Sequence, residues 1–286
     1  MAHVTDKKIR ELERRANDIR KSVIEMLLQA GSGHSAGPLG MADIFSALYF
    51  HVLNHNPQKP NWKERDRLIL SNGHICPVRY AAMAHAGYFP KRELLTLRQF
   101  GSRLQGHPER DKLPGLETTS GPLGEGVAQA AGMALAARMN GEGHHVYCIT
   151  GDGELDEGLC WESFLFIAKE CLANLTLIVD RNHIQIDGFT EDITQLDPLG
   201  EKFESFGFHV MEIDGHNIEE FIDATNEAKS NYKAPSVIIA HTIPGKGVDF
   251  MEGHVEWHGK APNKHEANAA LQKLRTLDGK IEAGHH

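Results

Sequence analysis

Two continuously apolar segments, separated by an amphipathic one, constrain the fold of this chain most strongly. Residues 145–150 (HVYCIT) and 175–180 (LTLIVD) have the length and the uninterrupted hydrophobicity of buried strands. Between them, residues 157–171 (EGLCWESFLFIAKEC) repeat apolar side chains with the period of a helix. This order predicts a βαβ crossover with parallel strands.

The rest of the chain continues the same alternation. Residues 6–30 predict a long amphipathic helix that ends at the glycines of GSGH, and residues 41–52 predict a second helix. The segment RLILSNGH predicts a strand and a turn, residues 88–119 an irregular surface excursion, and the Ala- and Gly-rich segment after GPLG a closely packed helix. FHVMEI and SVIIAH are strand candidates around a helix at 219–229. We therefore expect an α/β fold whose mainly parallel sheet is covered by helices on both faces.

Length and composition fit one large domain, which we place at residues 1–283. The terminal Gly-His-His, residues 284–286, is typical of an expression-tag remnant. A net charge of -9 argues against nucleic-acid binding and against an anionic membrane surface. No segment reaches the ~20 apolar residues that span a bilayer. The four cysteines form no CxxC pair, which favours buried thiols and a reducing, cytoplasmic location.

Oxygen ligands follow both strands of the central unit. Gly151-Asp152-Gly153 comes after the first strand, and Asn182 lies 30 residues after Asp152, directly behind the second strand. Right-handed crossover brings the two loops to the same carboxyl edge of the sheet, where open α/β folds bind ligands. A carboxylate, an amide oxygen and a backbone carbonyl are hard ligands that suit Mg²⁺ or Ca²⁺ better than Zn²⁺. The H-x-x-x-H spacing of His254 and His258 leaves a zinc site as a weaker alternative.

Seven segments in order resemble the transketolase family of thiamine-diphosphate enzymes, and they cover residues 15–265. They are SGHSAGPLGMADI, RDRLILSNGH, GSRLQGHPE, TTSGPLGEG, GDGELDEG, DRNHIQIDG and WHGK. The resemblance implies a thiamine-diphosphate-binding fold of the diphosphate-binding type, with thiamine diphosphate and Mg²⁺ as cofactors and Ca²⁺ or Mn²⁺ as substitutes. Its activity would be two-carbon ketol transfer between sugar phosphates.

The same resemblance implies a role for each matching residue. The metal would be bound by the side chains of Asp152 and Asn182 and by the backbone carbonyl of Ile184. The histidines at the reacting carbon and the sugar hydroxyls would be His34, His107 and His258. Glu162 would lie at an interface between active sites. Contacts to the cofactor would come from His74, Gly121, Pro122, Leu123, Asp152, Gly153, Glu154, Asn182, Ile184, Lys246 and His258.

Imidazole suits this chemistry because it titrates near neutral pH, so it can accept the proton of the donor's hydroxyl and return it. One departure from the family pattern is Ser35-Ala36, which replaces a proline after the first Gly-His and changes the loop around His34.

A complete transketolase continues into a pyrimidine-binding domain that carries the activating glutamate. We therefore expect an α2β2 assembly with a C-terminal partner subunit, acting on sugar phosphates. The alternatives are half of a deoxyxylulose-phosphate synthase or of a specialised sugar ketolase, and a non-catalytic cofactor-binding module.

Overall fold

The fold was obtained as a computed structural model, which describes residues 4–283. The residues of the predicted tag remnant, 284–286, lie outside the described part. The prediction of a single domain over residues 1–283 stays a prediction.

The first helix, α1, has the predicted bounds Asp6–Ala30 because the sequence provides both of its ends. Thr5 caps the N-terminus by accepting a hydrogen bond from the Lys8 amide at 3.3 Å. Gly31 ends the helix in the left-handed region with φ of 65° and donates its amide to the Leu27 carbonyl. The apolar face of α1 is buried against α3, α4 and α10, so this helix belongs to the core.

Within residues 4–283, five strands form one parallel sheet in the order β1-β2-β3-β7-β6, which confirms the predicted α/β class. A short antiparallel hairpin, β4 and β5, follows β3. The strands are β1 (Arg67–Leu70), β2 (Val146–Gly151), β3 (Leu175–Arg181), β4 (Ile184–Gln185), β5 (Gly188–Phe189), β6 (His209–Asp214) and β7 (Ser236–His241).

Helices cover both faces of the sheet, as the continuous hydrophobicity of its central strands requires. Alternate residues of β2 show the two faces: Ile149 packs into the core beneath α1, whereas Cys148 packs into a second core beneath α5 and α6. The other helices are α2 (Ala36–Gly40), α3 (Ala42–Ala47), α4 (Cys76–Ala86), α5 (Glu125–Asn140), α6 (Gly158–Lys169), α7 (Thr190–Ile193), α8 (Leu199–Phe206), α9 (Ile218–Ser230) and α10 (Lys264–Ala283).

Two predictions about local structure need correction. The helix expected at 41–52 begins earlier, is interrupted at Met41, and ends in a π-helical turn at Leu48–Val52, where the Leu53 amide donates to the Leu48 carbonyl at 2.9 Å. The segment 88–119 is irregular, as expected, but it is anchored to the core. Its buried leucines are Leu94, Leu97, Leu104, Leu113 and Leu116.

Among the helices of the described range, none combines the length and the hydropathy that crossing a membrane requires. The loops that leave β1, β2, β3 and β7 all emerge at the carboxyl edge of the sheet, because these strands are parallel. Every candidate ligand of the central βαβ unit is therefore brought to that edge.

Candidate active site at the carboxyl edge of the sheet

A cavity of about 470 Å³ opens at this edge, a size that suits a cofactor or a small substrate. It gathers most of the predicted site residues from separate loops. The predicted residues that line it are His34, His74, His107, Gly121, Leu123, Asp152, Gly153, Glu154, Asn182, Ile184 and His258.

The predicted metal ligands Asp152, Asn182 and Ile184 all line this cavity. Asp152 is 1% exposed, and burial raises its pKa to about 6 although hydrogen bonds from the His183 amide and Arg181 act in the opposite direction. Asn182 donates its Nδ2 to Asp180 Oδ2 at 2.9 Å, and its Oδ1 accepts from the Ile184 amide at 3.0 Å. Asp180 therefore fixes which way the Asn182 carboxamide faces, as residues behind metal ligands commonly do.

Asp180 itself is fully buried, and burial raises its pKa to about 7. Its other oxygen accepts a hydrogen bond from the Thr242 hydroxyl. This contact joins the end of β3 to the loop that follows β7. The position of the candidate ligand Asn182 thus depends on two neighbouring strands.

Arg181 joins the candidate metal site to the chain that follows it. Its guanidinium, 1% exposed, donates to Asp152 Oδ2 at 3.2 Å and to the Thr190 hydroxyl at 2.9 Å. It also donates to Glu191 Oε1 at 2.7 Å and to Asp197 Oδ1 at 3.1 Å. One buried cation therefore holds the segment 182–197 against the Asp152 carboxylate.

Glu154 was expected to contact the cofactor, and it lines the cavity, but its hydrogen bonds are made to the protein. The carboxylate is 2% exposed and accepts from the Gly124 amide at 2.7 Å, from the Gly151 amide at 3.1 Å and from the Ser71 hydroxyl. Burial raises its pKa against these three bonds. Glu154 thus connects the loops after β1 and β2 with the turn before α5.

Gly153 lies where a side chain would interfere. An added Cβ at Gly153 would lie 2.9 Å from the Cβ of Gln185, so the loop after β2 can approach the β4–β5 hairpin closely without a side chain. The Gly153 amide, expected to donate to a diphosphate, donates to Asp152 Oδ1 at 2.8 Å in this structure.

Three predicted histidines form a cluster at the same cavity. The ring centroids of His34 and His74 are 4.9 Å apart, and those of His34 and His258 are 5.6 Å apart. The centroids of His74 and His258 are 5.3 Å apart, and His107 lines the cavity beside them. Loops distant in sequence therefore present imidazoles to one space.

Burial keeps these imidazoles neutral. It lowers the pKa of His34 to about 4 and holds the pKa of His74 well below its ordinary value. Burial also lowers the pKa of His258, and that of His107 with help from the charge of Arg98. A neutral ring nitrogen can accept a proton or a hydrogen bond from a substrate hydroxyl.

Three predicted site residues lie outside the cavity lining. Pro122 is exposed although its neighbours Gly121 and Leu123 line the cavity. Lys246 is half-buried in the loop after β7. Glu162 is exposed on α6. Among the described residues, no group of three or more His, Cys, Asp or Glu side chains could hold a metal ion, so the zinc alternative gains no support.

Several residues of the site were not identified from the sequence, and Gln185, Ile186 and Asp187 of the cavity lining are among them. Asn72 lines the cavity and is 1% exposed, yet the pattern SNGH pointed only to its histidine. Arg181, inside DRNH, contacts Asp152 and had no predicted role. A charged residue at the end of a continuously apolar strand was the available signal for Arg181.

Comparison with known proteins agrees with this geometry. The family model described as "Transketolase, thiamine diphosphate binding domain" matches residues 12–279. The 6-deoxy-6-sulfo-D-fructose transketolase subunit of a Clostridium species is 42% identical over 264 residues, which cover 92% of this chain and 96% of that protein. An apulose-4-phosphate transketolase subunit of Actinobacillus succinogenes is 42% identical over 268 residues, 93% of this chain and 96% of that one.

Full-length transketolases match over a smaller share of their own length. A transketolase structure from Pichia stipitis superposes with a TM-score of 0.87 at 32% identity, over 94% of this chain and 40% of that one. A transketolase structure from Leishmania mexicana superposes with a TM-score of 0.85 at 32% identity, over 99% of this chain and 46% of that one. The chain thus spans less than half of these longer proteins. It belongs to the transketolase family and corresponds to the thiamine diphosphate binding domain.

Proposed function

We propose that the chain is the N-terminal, diphosphate-binding subunit of a two-chain transketolase. It would transfer a two-carbon ketol unit from a ketose phosphate to an aldose phosphate with thiamine diphosphate and Mg²⁺. The observation that carries this proposal is one cavity that holds both the oxygen ligands Asp152, Asn182 and Ile184 and a cluster of neutral histidines. The first set suits a cation that binds a diphosphate, and the second suits a polyhydroxylated substrate.

The ligand set fits Mg²⁺ chemically. Asp152 offers a carboxylate, Asn182 a carboxamide oxygen, and Ile184 a backbone carbonyl, all of which are hard oxygen donors. Three protein ligands leave coordination positions for diphosphate oxygens and water, which is the usual way that proteins hold Mg²⁺ at phosphates. Ca²⁺ or Mn²⁺ would bind the same set.

Thiamine diphosphate, when bound, supplies an electron sink for cleavage of the donor's carbon–carbon bond. The protein supplies orientation and proton transfer. His34, His107 and His258 would accept a proton from the donor's hydroxyl and return one to the carbonyl oxygen of the acceptor. Burial keeps them neutral at pH 7, so a ring nitrogen is free to accept the proton. His74 would hold the diphosphate end of the cofactor.

The partner would be a C-terminal chain with a pyrimidine-binding domain. The carboxylates that line the cavity are Asp152, Glu154 and Asp187, and the first two are occupied by hydrogen bonds within the chain. The carboxylate that activates the aminopyrimidine would come from the pyrimidine-binding domain of the partner. Beside the cavity, Ile186 is 73% exposed, Phe189 48% and Ile193 46%, and these side chains would contact that subunit.

A second copy of this chain would complete an α2β2 assembly. Around Glu162, the outer face of α6 exposes Leu165 by 61%, Phe166 by 39% and Leu159 by 37%. An exposed apolar helix face with one central carboxylate fits a subunit interface better than a free surface. Two-fold symmetry would place the same face of the second copy opposite it.

The names of two relatives suggest a class of donor substrate. Their names specify 6-deoxy-6-sulfo-D-fructose and apulose-4-phosphate, both ketoses with an anionic substituent. We extend that class, an anionic ketose donor, to this chain. The proposal also includes a reducing, cytoplasmic location, since Cys76, Cys148, Cys160 and Cys171 are free, although Cys171 is exposed and not buried as expected.

The proposal is tested by calorimetric titration of thiamine diphosphate into the chain reconstituted with its C-terminal subunit, with and without Mg²⁺. Asp152→Ala should abolish the Mg²⁺-dependent binding, because it removes the charged ligand of the proposed set. Asp187→Ala is the matched control, since it removes an exposed carboxylate from the same cavity and should leave the Mg²⁺ dependence unchanged. Equal binding by the wild type and Asp152→Ala would refute the metal assignment.

A further inference from the structure

Asn72 occupies an unusual position for a buried polar side chain. It is 1% exposed and lines the cavity, and neither its Nδ2 nor its Oδ1 has a hydrogen-bond partner among residues 4–283. A buried carboxamide without partners costs folding free energy, so proteins seldom keep one without a reason.

The ordinary structural role for this residue is excluded by its geometry. Asn72 is the N-cap of the 3-10 turn Gly73–Ile75, a position where an asparagine side chain normally accepts from a backbone amide. Here the side chain makes no capping bond. The backbone carbonyl of Asn72 accepts from the Ile75 amide instead, at 3.1 Å. The carboxamide is therefore turned away from its own turn.

Another buried asparagine gives a partial contrast, because its Oδ1 also lacks a partner but its Nδ2 has one. Asn17 of α1 is fully buried, and its Nδ2 donates to the Leu274 carbonyl at 2.8 Å, which ties α1 to α10. Asn72 makes no comparable tie. Its Nδ2 lies beside the last residue of β2, where an added Cβ at Gly151 would be 3.6 Å away. The carboxamide thus lies between the loop after β1 and the end of β2.

A diphosphate with its hydrated cation would satisfy both halves of this carboxamide. Phosphate oxygens accept hydrogen bonds from an amide NH2, and water bound to the cation donates to an amide oxygen. The same turn carries His74, and the adjacent loop carries Asp152, both already assigned to the diphosphate end of the site.

We propose that Asn72 is a further cofactor-binding residue, which donates from Nδ2 to the diphosphate and accepts at Oδ1 from a water of the cation. This inference rests on the proposed function, because it takes thiamine diphosphate as the ligand. It predicts that Asn72 contributes to cofactor affinity and contributes nothing to the stability of the cofactor-free chain.

Two measurements separate these contributions: the melting temperature of the cofactor-free chain, and calorimetric titration of thiamine diphosphate at saturating Mg²⁺ into the chain with its C-terminal subunit. Asn72→Ala should leave the melting temperature unchanged or raised, and weaken binding about 10- to 100-fold, the loss expected for a hydrogen bond to a charged group. Asn72→Asp keeps the shape but sets a carboxylate against the diphosphate, so its binding should be weaker still.

Asn217→Ala is the matched control. Asn217 caps α9 by accepting from the Glu219 and Glu220 amides at 3.1 and 3.2 Å. Its removal should lower the melting temperature and leave binding unchanged. The inference is overturned if both Asn72 variants bind within about twofold of the wild type, a difference too small for a lost hydrogen bond to a charged group. It is equally overturned if Asn72→Ala lowers the melting temperature as much as Asn217→Ala does. Failure of the wild-type pair to bind the cofactor would instead reject the proposed function.

Discussion

Replacing Glu154 tests whether this residue stabilises the site rather than binding the cofactor. Glu154→Ala would leave the amides of Gly124 and Gly151 and the Ser71 hydroxyl without their acceptor in a buried position. Each buried donor without a partner costs about 1–3 kcal/mol, so for the three donors we expect a loss of at least about 3 kcal/mol in the free energy of unfolding. Such a loss is a large fraction of the stability of an ordinary domain.

Urea denaturation followed by far-UV circular dichroism measures this loss. Glu154→Gln keeps the shape and one oxygen acceptor, so it should lose about 1–3 kcal/mol and remain measurable if the alanine variant unfolds. Glu157→Ala is the control, because Glu157 is exposed in the same loop and its side chain makes no capping bond, and it should change stability by less than about 0.5 kcal/mol. A Glu154→Ala variant within about 1 kcal/mol of the wild type would refute the reasoning.

Further predictions concern the histidines and the support of the metal site. His107→Ala and His258→Ala should each reduce turnover, measured by steady-state kinetics, far more than cofactor affinity, measured by calorimetry. A loss of cofactor affinity as large as the loss of turnover would instead assign these residues to the diphosphate. Asp180→Asn should weaken Mg²⁺ binding about tenfold, since Asp180 orients Asn182; unchanged affinity in a Mg²⁺ titration would contradict this. Burial lowers the pKa of His145 to about 4 in the folded chain, so between pH 6.5 and pH 4 the unfolded chain binds a proton at this residue and the folded chain does not. The contribution of His145 to the free energy of unfolding is therefore full above pH 6.5 and falls toward pH 4. This histidine should contribute at most about 3 kcal/mol to that fall, and His145→Gln should flatten the pH profile of urea unfolding.

Periodicity and caps made most of the fold predictable. The helix Asp6–Ala30 was predicted from its apolar spacing and its glycine stop, and β2 and β3 from their continuous hydrophobicity. The exact course of the helix at 41–52 was not predictable, because its interruption at Met41 and its π turn depend on packing against other helices and leave no periodic signal. The buried leucines of segment 88–119 were missed for a similar reason, since irregular segments bury side chains without a repeat.

The candidate site was predictable where a motif fixes a loop at a strand end. Asp152, Asn182 and His74 follow such motifs, whereas the other three histidines lie in motifs away from strand ends, and all six residues line one cavity. Pro122 belongs to a matching motif but lies outside the lining, because a motif specifies a loop and not the direction of each side chain; Lys246 also lies outside the lining, and it is in none of the seven matching segments. The orphaned carboxamide of Asn72 depends on three-dimensional burial, which a single sequence does not show.

The central claim is that this chain carries half of an active site and works only with a C-terminal subunit. Its most direct test is donor cleavage by the purified chain, with thiamine diphosphate and Mg²⁺ saturating and an anionic ketose such as a ketose phosphate as donor, before and after the second subunit is added. We predict no turnover by the chain alone and ketol transfer once the second subunit is present. Turnover by the chain alone at the rate of the reconstituted pair would contradict the account.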